Sequence, residues 1–296
     1  MAPMGKANRR KKVANPAALA AYRAPIPFVA RPFEGLPREV ELVAMREIIP
    51  CATMTARTDA DHGSFEFDFV TLLPDGRGAM VRADGRILVA AQTSSNSGDL
   101  SHDAAAALLA AMKAKEAGEQ GLVPVDVREP CERLQDLLDP EGFGEMVLEE
   151  DFRFWLDPEE ELDEHTRRAL EENRDEIIPT VKVPGVEGMY WCEMNRNFVR
   201  YLVDVDESRL FDGLARVQAA GLARLGEGSR FIGAFRACGI AIPVFELAEG
   251  ASAEDIVEDA AALQKNLQEA LASTDPLTAD QRRARQGMVS RQVTIR

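Results

Sequence analysis

The chain has 296 residues, 46% of them hydrophobic, which suits two compact domains or one large domain with a proper core. No apolar run approaches the roughly 20 residues that a membrane-spanning helix needs, so the composition excludes that class. The formal net charge is −15, but residues 1–12 and 282–296 each carry five basic residues and no acid. The body between these ends therefore holds 25 of the 35 bases and all 50 acids. Such a body repels polyphosphates, whereas the basic ends attract them.

The first half of the chain predicts a leader and one α+β unit. Residues 1–34 are basic and then rich in Pro and Ala, which predicts a disordered leader, and residues 35–145 predict the unit itself. Its first helix ends at Pro50, because the residue before a proline is pushed out of the helical region. Alternating, strand-like stretches follow, and Asp84-Gly85 is typical of the turn of a β-hairpin.

A polar run, AAQTSSNSGDLSHD at 90–103, precedes the next predicted helix, for which Ser101 is the N-cap candidate and Gly118 the end. Its hydroxyls and amides have the chemistry to bind an anion at the helix N-terminus. The same residue types occur in any strand-to-helix connection, so the favoured interpretation is a structural loop. An enzyme would need a polar pocket at 90–103 or around His102.

An acidic and aromatic connector, residues 146–164, follows the first unit. Phe152, Phe154 and Trp155 are too apolar for a free linker. We expect them to pack on a neighbouring sheet while the acids of the connector face water.

A second α+β unit is predicted over residues 165–275, followed by a basic C-terminal tail at 276–296. Within it, the segment SRFIGAFRACG at 229–239 predicts a helix that ends at Gly239 and places its two phenylalanines on one face. A strand and a final amphipathic helix, with Ser252 as its N-cap, complete the unit.

Glu-Ile-Ile-Pro occurs twice, at 47–50 and at 176–179, each time after a helical pattern and before a strand-like run. The predicted hairpin at 80–91 aligns with one at 191–202, and an x-Pro-Val strand follows in both halves. Three anchors in one order favour a tandem duplication. The predicted fold class is therefore α+β, with two tandem similar units, each an antiparallel sheet with flanking helices. The alternative is two helix-plus-sheet domains that share this generic order by accident.

Motifs for catalysis or cofactor binding are missing from the sequence. It has no P-loop for nucleotide phosphates, no Gly-x-Gly-x-x-Gly after a strand and no Gly-x-Ser-x-Gly elbow. A zinc site needs close ligand pairs, and the cysteines and histidines are widely spaced: Cys51, Cys131, Cys192, Cys238, His62, His102 and His165. We therefore predict no catalytic residue, no cofactor, no metal site, and reduced cysteines in apolar surroundings.

Two stretches carry a resemblance to a known family: PFVARPFEGLPREVELVAMREIIPCATMTA at 27–56 and FRACGIAIPVFEL at 235–247. They resemble a family of actinobacterial proteins of unknown function with PFEGLP, REIIP and LVPVW-type motifs. The resemblance runs from about Ala24 to Leu271 and implies no known chemistry. Phe245 stands where relatives have a tryptophan in the late strand, which favours a packing role for that position.

We predict an acidic, cytoplasmic protein that is not an enzyme. Pro16 and Arg23 interrupt any apolar stretch of a secretory signal, which favours the cytoplasm. The leading hypothesis is a protein-interaction module, chaperone- or adaptor-like, that uses sheet faces or edges to hold an unknown protein partner. The alternative is an RNA- or ribosome-associated factor whose basic tails contact nucleic acid, through Lys6, Arg9, Arg10, Lys11, Lys12, Arg282, Arg283 and Arg285. An enzyme of unknown class is the third hypothesis.

Overall fold

A computed structural model describes residues 25–290 and the backbone of residues 292–294. These residues form seven α-helices and twelve β-strands. The helices are α1 (Glu39–Glu47), α2 (Leu100–Glu116), α3 (Leu134–Leu137), α4 (Glu164–Glu176), α5 (Glu207–Ala219), α6 (Val257–Ala272) and α7 (Ala279–Val289). The strands are β1 (Ala52–Arg57), β2 (Glu66–Leu72), β3 (Ala79–Val81), β4 (Ile87–Gln92), β5 (Gly121–Val123), β6 (Met146–Leu148), β7 (Thr180–Lys182), β8 (Met189–Glu193), β9 (Asn197–Tyr201), β10 (Arg230–Ala237), β11 (Ile240–Glu246) and β12 (Gln292–Thr294).

The strands form two six-stranded sheets, in the orders β5-β3-β4-β2-β1-β6 and β12-β10-β11-β9-β8-β7. This confirms the predicted α+β class with two sheet-plus-helix units. The sheets are mixed rather than wholly antiparallel, because β2 runs parallel to β4 and β10 runs parallel to β12. A parallel pair needs a long connection. The chain supplies one through β3 in the first sheet and through α6 and α7 in the second.

Helix α1 lies between the two sheets. Four consecutive residues in it, Leu42 to Met45, are at most 1% exposed, so its apolar surface covers more than one face. They belong to a single buried cluster that contains Phe67 and Phe69 of the first sheet and Tyr190 and Ile242 of the second. This cluster therefore extends into both units, and α1 is its common element.

The end of α1 is held by side chains from both sheets. Gln92 Nε2 donates hydrogen bonds to Met45 O at 2.7 Å and to Ile49 O at 2.9 Å, and Arg200 Nη1 approaches Ile48 O at 3.5 Å. These contacts supply donors to carbonyls that a helix end leaves without partners. The interpretation of Glu-Ile-Ile-Pro as a helix stop before a strand is confirmed, since α1 and α4 both end on its glutamate and β1 and β7 follow.

Further helices pack on the two sheets. On the first sheet, α2 adds Ala105, Leu108 and Ala111 to the cluster that surrounds α1. On the far face of the second sheet, a separate cluster joins α5, α6 and α7 to the strands through residues that include Phe211, Leu263, Leu267, Met288 and Phe245. The order of layers is therefore helices, second sheet, α1, first sheet.

The aromatic connector covers the outer face of the first sheet. Phe152 stacks on Trp155 with ring centroids 4.5 Å apart, and Trp155 Nε1 donates to Leu72 O at 2.8 Å. Phe154 and Trp155 pack against Val70 and Leu88 of this sheet. The connector is thus docked on a sheet, as its composition predicts, and its first residues add β6 to the sheet edge.

The predicted helix at 229–239 is wrong. This segment is β10, which pairs with β11 through a turn at Cys238 and Gly239, both at positive φ. Spacing of i and i+4 fits one face of a helix, but a bulge between Phe231 and Gly233 shifts the register of the strand. As a result Phe231 packs in the cluster with α5 and α6, whereas Phe235 packs against the cluster around α1.

Both predicted N-caps differ from the structure. Asp99 caps α2, because its side chain accepts hydrogen bonds from the backbone N–H groups of Ser101 and His102. Ser252 lies before a turn, where it bonds to Asp255, and α6 begins only at Val257. The predicted end of α2 is confirmed, since Gly118 follows it at a φ of 75°.

Parts of both predicted tails are folded. Residues 1–24 of the leader lie outside the described residues, but residues 25–34 run along the body, where Val29 N donates to Gly98 O at 3.0 Å and Phe33 is buried. Residues 276–296 include α7, whose Met288 is buried against the second unit. Apolar side chains at these two positions explain why the segments pack.

The tandem duplication stays a prediction. In both sheets the four inner strands have a corresponding order, β3-β4-β2-β1 and β10-β11-β9-β8. The aligned hairpins are present as β3–β4 and β8–β9, but the strand orders match β3–β4 with β10–β11 and β8–β9 with β1–β2. The aligned x-Pro-Val strands differ, since β5 is an edge strand and β11 lies inside its sheet.

In the described part of the chain, no helix is long and apolar enough to cross a membrane.

Replacing Met45 by Ala should lower the free energy of unfolding by about 2–5 kcal/mol, because it leaves a hole where α1 meets the core. Urea denaturation followed by tryptophan fluorescence measures this in two backgrounds, Trp155→Phe and Trp191→Phe. Each background retains a single tryptophan, which reports on the unfolding of one unit. Both backgrounds should unfold in the same transition, as expected for one shared core.

Met194→Ala is the matched control, because Met194 is 49% exposed. It should change the free energy of unfolding by no more than about 0.5 kcal/mol. Two separate transitions in the two tryptophan backgrounds would contradict a shared core.

Candidate functional sites

The arginines predicted to contact nucleic acid lie on α7. Arg285 Nε donates to Asp212 Oδ1 at 2.5 Å, and Arg285 Nη2 donates to Ser208 Oγ at 3.1 Å, so this side chain is bound to α5. Arg283 pairs with Asp280, and Arg282 donates to the carbonyl of Leu277. The basic residues between Lys6 and Lys12 lie outside the described residues, and the nucleic-acid hypothesis stays a prediction.

The polar run at 90–103 lines a cavity of about 400 Å³. The cavity lies beside the ends of the parallel strands β2 and β4, between the first sheet and α2. Its walls come from the turn at 75–78, from β4 and the residues after it, from the first turns of α2 and from the residues around β5. The N-terminal segment, α1 and β2 add one residue each: Phe33, Leu42 and Phe69. The sequence favours a structural loop for this run, and an enzyme would need a polar pocket here. The 75–78 turn closes one side of the cavity.

The 75–78 turn is fixed onto the polar run. Asp75 and Gly76 adopt positive φ of 58° and 63°, which turns the chain sharply. Ser94 N donates to Gly76 O at 3.0 Å, and Ser94 Oγ donates to the same oxygen at 3.2 Å. A Cβ on Gly76 would lie 3.3 Å from Ser94 Cβ, so glycine permits this close approach.

Asp103 supplies a buried carboxylate to the cavity wall. Its side chain is 7% exposed, Oδ2 accepts a hydrogen bond from Ser97 N at 2.9 Å, and Oδ1 lies 3.3 Å from His102 Nδ1. His102 is itself buried, and its Nε2 donates to Glu129 O at 3.0 Å. The cavity wall therefore contains Asp103 but not His102. The His102 side chain instead binds the start of α2 to the carbonyl oxygen of Glu129.

A second candidate is the outer edge of β7. Pro179 O accepts from Glu193 N at 3.0 Å, and Val183 N donates to Met189 O at 2.9 Å, so every second residue from Pro179 bonds to β8. Thr180 and Lys182 therefore direct their backbone N–H and C=O groups away from the sheet. Within the described residues nothing pairs with these groups.

Apolar side chains flank this edge. Ile178 and Val181 are each 40% exposed. A lysine on an edge strand usually blocks pairing with another chain, but Lys182 Nζ donates instead to the carbonyl oxygen of Met146 on β6. The edge of β7 thus has exposed apolar side chains beside it and no backbone partner among the described residues.

The end of α4 makes the surroundings of β7 acidic. Each arginine of this helix pairs with an acid, as Arg174 does with Glu150 at 3.0 Å. Glu171, Asp175 and Glu176 are exposed and have no basic partner among the described residues. Acids at a helix C-terminus face the negative end of the helix dipole, so a cation from outside would be favourable there.

Comparison with known protein families identifies the family of this chain. Residues 32–296 match a family described as a family of unknown function (DUF5926). The chain belongs to this family. The predicted membership of an uncharacterised family is thereby confirmed, whereas the actinobacterial origin stays a prediction. No curated protein and no solved structure matches the chain.

Burial disfavours the thiolate form of the cysteines in this DUF5926 protein. All four cysteines are free, and burial raises the pKa of Cys51 and Cys238 to about 12, that of Cys131 to about 11, and that of Cys192. Cys131 Sγ lies 3.7 Å from the backbone carbonyl oxygen of His102. In the described residues, no group of three or more His, Cys, Asp or Glu side chains is placed to hold a metal ion.

Alkylation by iodoacetamide at pH 7.5 should be more than about tenfold slower for every cysteine than for free cysteine, since the thiolate is the reactive form and a raised pKa depletes it. Intact-mass spectrometry over time measures the rate. Adding urea should restore fast reaction of all four thiols. One cysteine that reacts quickly in the folded protein, located by peptide mapping, would contradict this.

Proposed function

We propose that this protein is a non-enzymatic protein-binding module that holds an extended segment of a partner along β7. The observation that carries the proposal is the unpaired outer edge of Thr180 and Lys182, with exposed Ile178 and Val181 beside it. An extended segment adds to such an edge through main-chain hydrogen bonds, and side-chain contacts give specificity.

The acidic surroundings of β7 indicate which residues the partner segment should contain. The formal net charge of the chain is −15, and Glu171, Asp175 and Glu176 next to β7 have no basic partner among the described residues. Opposite charge speeds association and favours the correct partner. The segment should therefore alternate apolar residues, for Ile178 and Val181, with Lys or Arg.

A cytoplasmic location is part of this proposal. Free thiols are the usual state of cysteines in a reducing compartment. The four free cysteines, two of them buried, support it.

Binding of decapeptides that alternate Val and Lys, labelled with fluorescein, tests the proposal by fluorescence anisotropy. Thr180→Pro removes one outward N–H without affecting a bond to β8, and proline is tolerated on an edge strand. We expect it to weaken binding by at least about tenfold, or about 1.4 kcal/mol. Thr180→Ala keeps the N–H and is the matched control, with unchanged affinity.

Charge-reversed decapeptides, with Glu for Lys, should bind more weakly than the Lys series, most clearly at low salt. Equal binding of Thr180→Pro and wild type would overturn the β7 edge as the site. Capture of a single-stranded RNA oligonucleotide in place of the peptides, lost in a chain that lacks residues 1–12 and carries Arg282→Gln and Arg283→Gln, would favour the tail hypothesis.

A further inference from the structure

The cavity beside α2 is separate from the β7 edge and independent of the proposed function. A volume of about 400 Å³ lies within the range of small-molecule sites. It does not arise from a missing element, since sheet, helix and turn enclose it on several sides. Its physical origin is side-chain size.

Small residues leave this space open. Ala91 of β4 faces Ala104 and Ala107 of α2, and Gly78 lies so near α2 that a Cβ on it would be 3.4 Å from Ala107 Cβ. Interiors normally fill such gaps with larger side chains at close to crystal density. The remainder of the lining is mostly apolar and includes Phe33, Phe69, Leu100, Val123 and Val125.

Charge in the lining is unbalanced. The charged lining residues are Asp75 and Arg77, both exposed, and Asp103, which is buried. A carboxylate accepts about four hydrogen bonds, and only Ser97 N and His102 Nδ1 lie against Asp103. The buried charged group of the lining is therefore a carboxylate with acceptor capacity left, while the single cation of the lining is at the surface.

We propose that this cavity binds a small organic amine, with its ammonium group on Asp103 and its apolar body among Ala104, Ala107 and the two phenylalanines. An ammonium group donates three hydrogen bonds, which matches the free acceptor capacity of a buried carboxylate. The acidic body of the protein raises the local concentration of cations. The exposed hydroxyls of Ser94 and Ser95 form the polar rim through which the ligand enters.

Isothermal titration calorimetry with 2-phenylethylamine and 3-methylbutylamine tests the site, with 3-phenylpropanoate and 2-phenylethanol as the anionic and neutral counterparts. The amines should bind at least about tenfold more tightly than either counterpart. Asp103→Asn retains an acceptor for Ser97 N but removes the charge, and should weaken amine binding by at least about tenfold. Asp280→Asn, on exposed α7, is the matched control and should leave the affinity unchanged.

Ala104→Leu fills the cavity and should abolish binding while keeping or raising the melting temperature. If that variant does not fold, Ala91→Val fills the same space from the sheet side and gives the same readout. Failure of every amine to bind below about 10 mM would overturn the proposal, as would equal binding of acid and amine or an unaffected Asp103→Asn. Since the β7 peptides do not use this cavity, Thr180→Pro should bind amines normally.

Discussion

The fold depends on one short helix that packs against two sheets. A helix usually buries a single stripe, and its other side faces water. In α1 the residues Leu42 to Met45 are all buried, so the first sheet and the second sheet cover it from different directions. Its end is also held from both sides, by Gln92 and by Arg200. The boundary between the units is therefore a hydrophobic interior, and the two sheets behave as one body.

This arrangement also determines where surfaces remain for binding. Because α1 and α2 share the inner face of the first sheet, the alanine-rich side of α2 leaves a part of that face near the 75–78 turn incompletely filled. Of the edge strands, β5 and β6 contribute Val123 and Met146 to the shared core, whereas β7 contributes no residue to it. Among them, β7 combines free outward backbone groups with exposed apolar side chains, since Lys182 is drawn to Met146 on the first sheet.

Local rules predicted the features that depend on neighbouring residues. The helix ends at Glu-Ile-Ile-Pro, the β3–β4 and β8–β9 hairpins and the Gly118 stop follow from proline sterics, turn chemistry and positive φ. Features that depend on distant contacts were missed. Phe231 and Phe235 fit a helical face equally well until the bulge and the two clusters on opposite sides of β10 are known. Predicting the cavity would require knowing that the 75–78 turn packs against Ser94, and no spacing along the chain indicates this contact.

The position of α1 near the start of the chain has a consequence for synthesis on the ribosome. The helix and the first sheet emerge long before Tyr190, Leu202 and Ile242, which complete its burial. During that interval one side of α1 is an uncovered apolar surface, and chains interrupted at this stage are prone to aggregate. Because the first unit is translated first, its apolar surface on α1 stays uncovered until the second unit has been synthesised. A gene split between the two units would therefore yield two incompletely buried products.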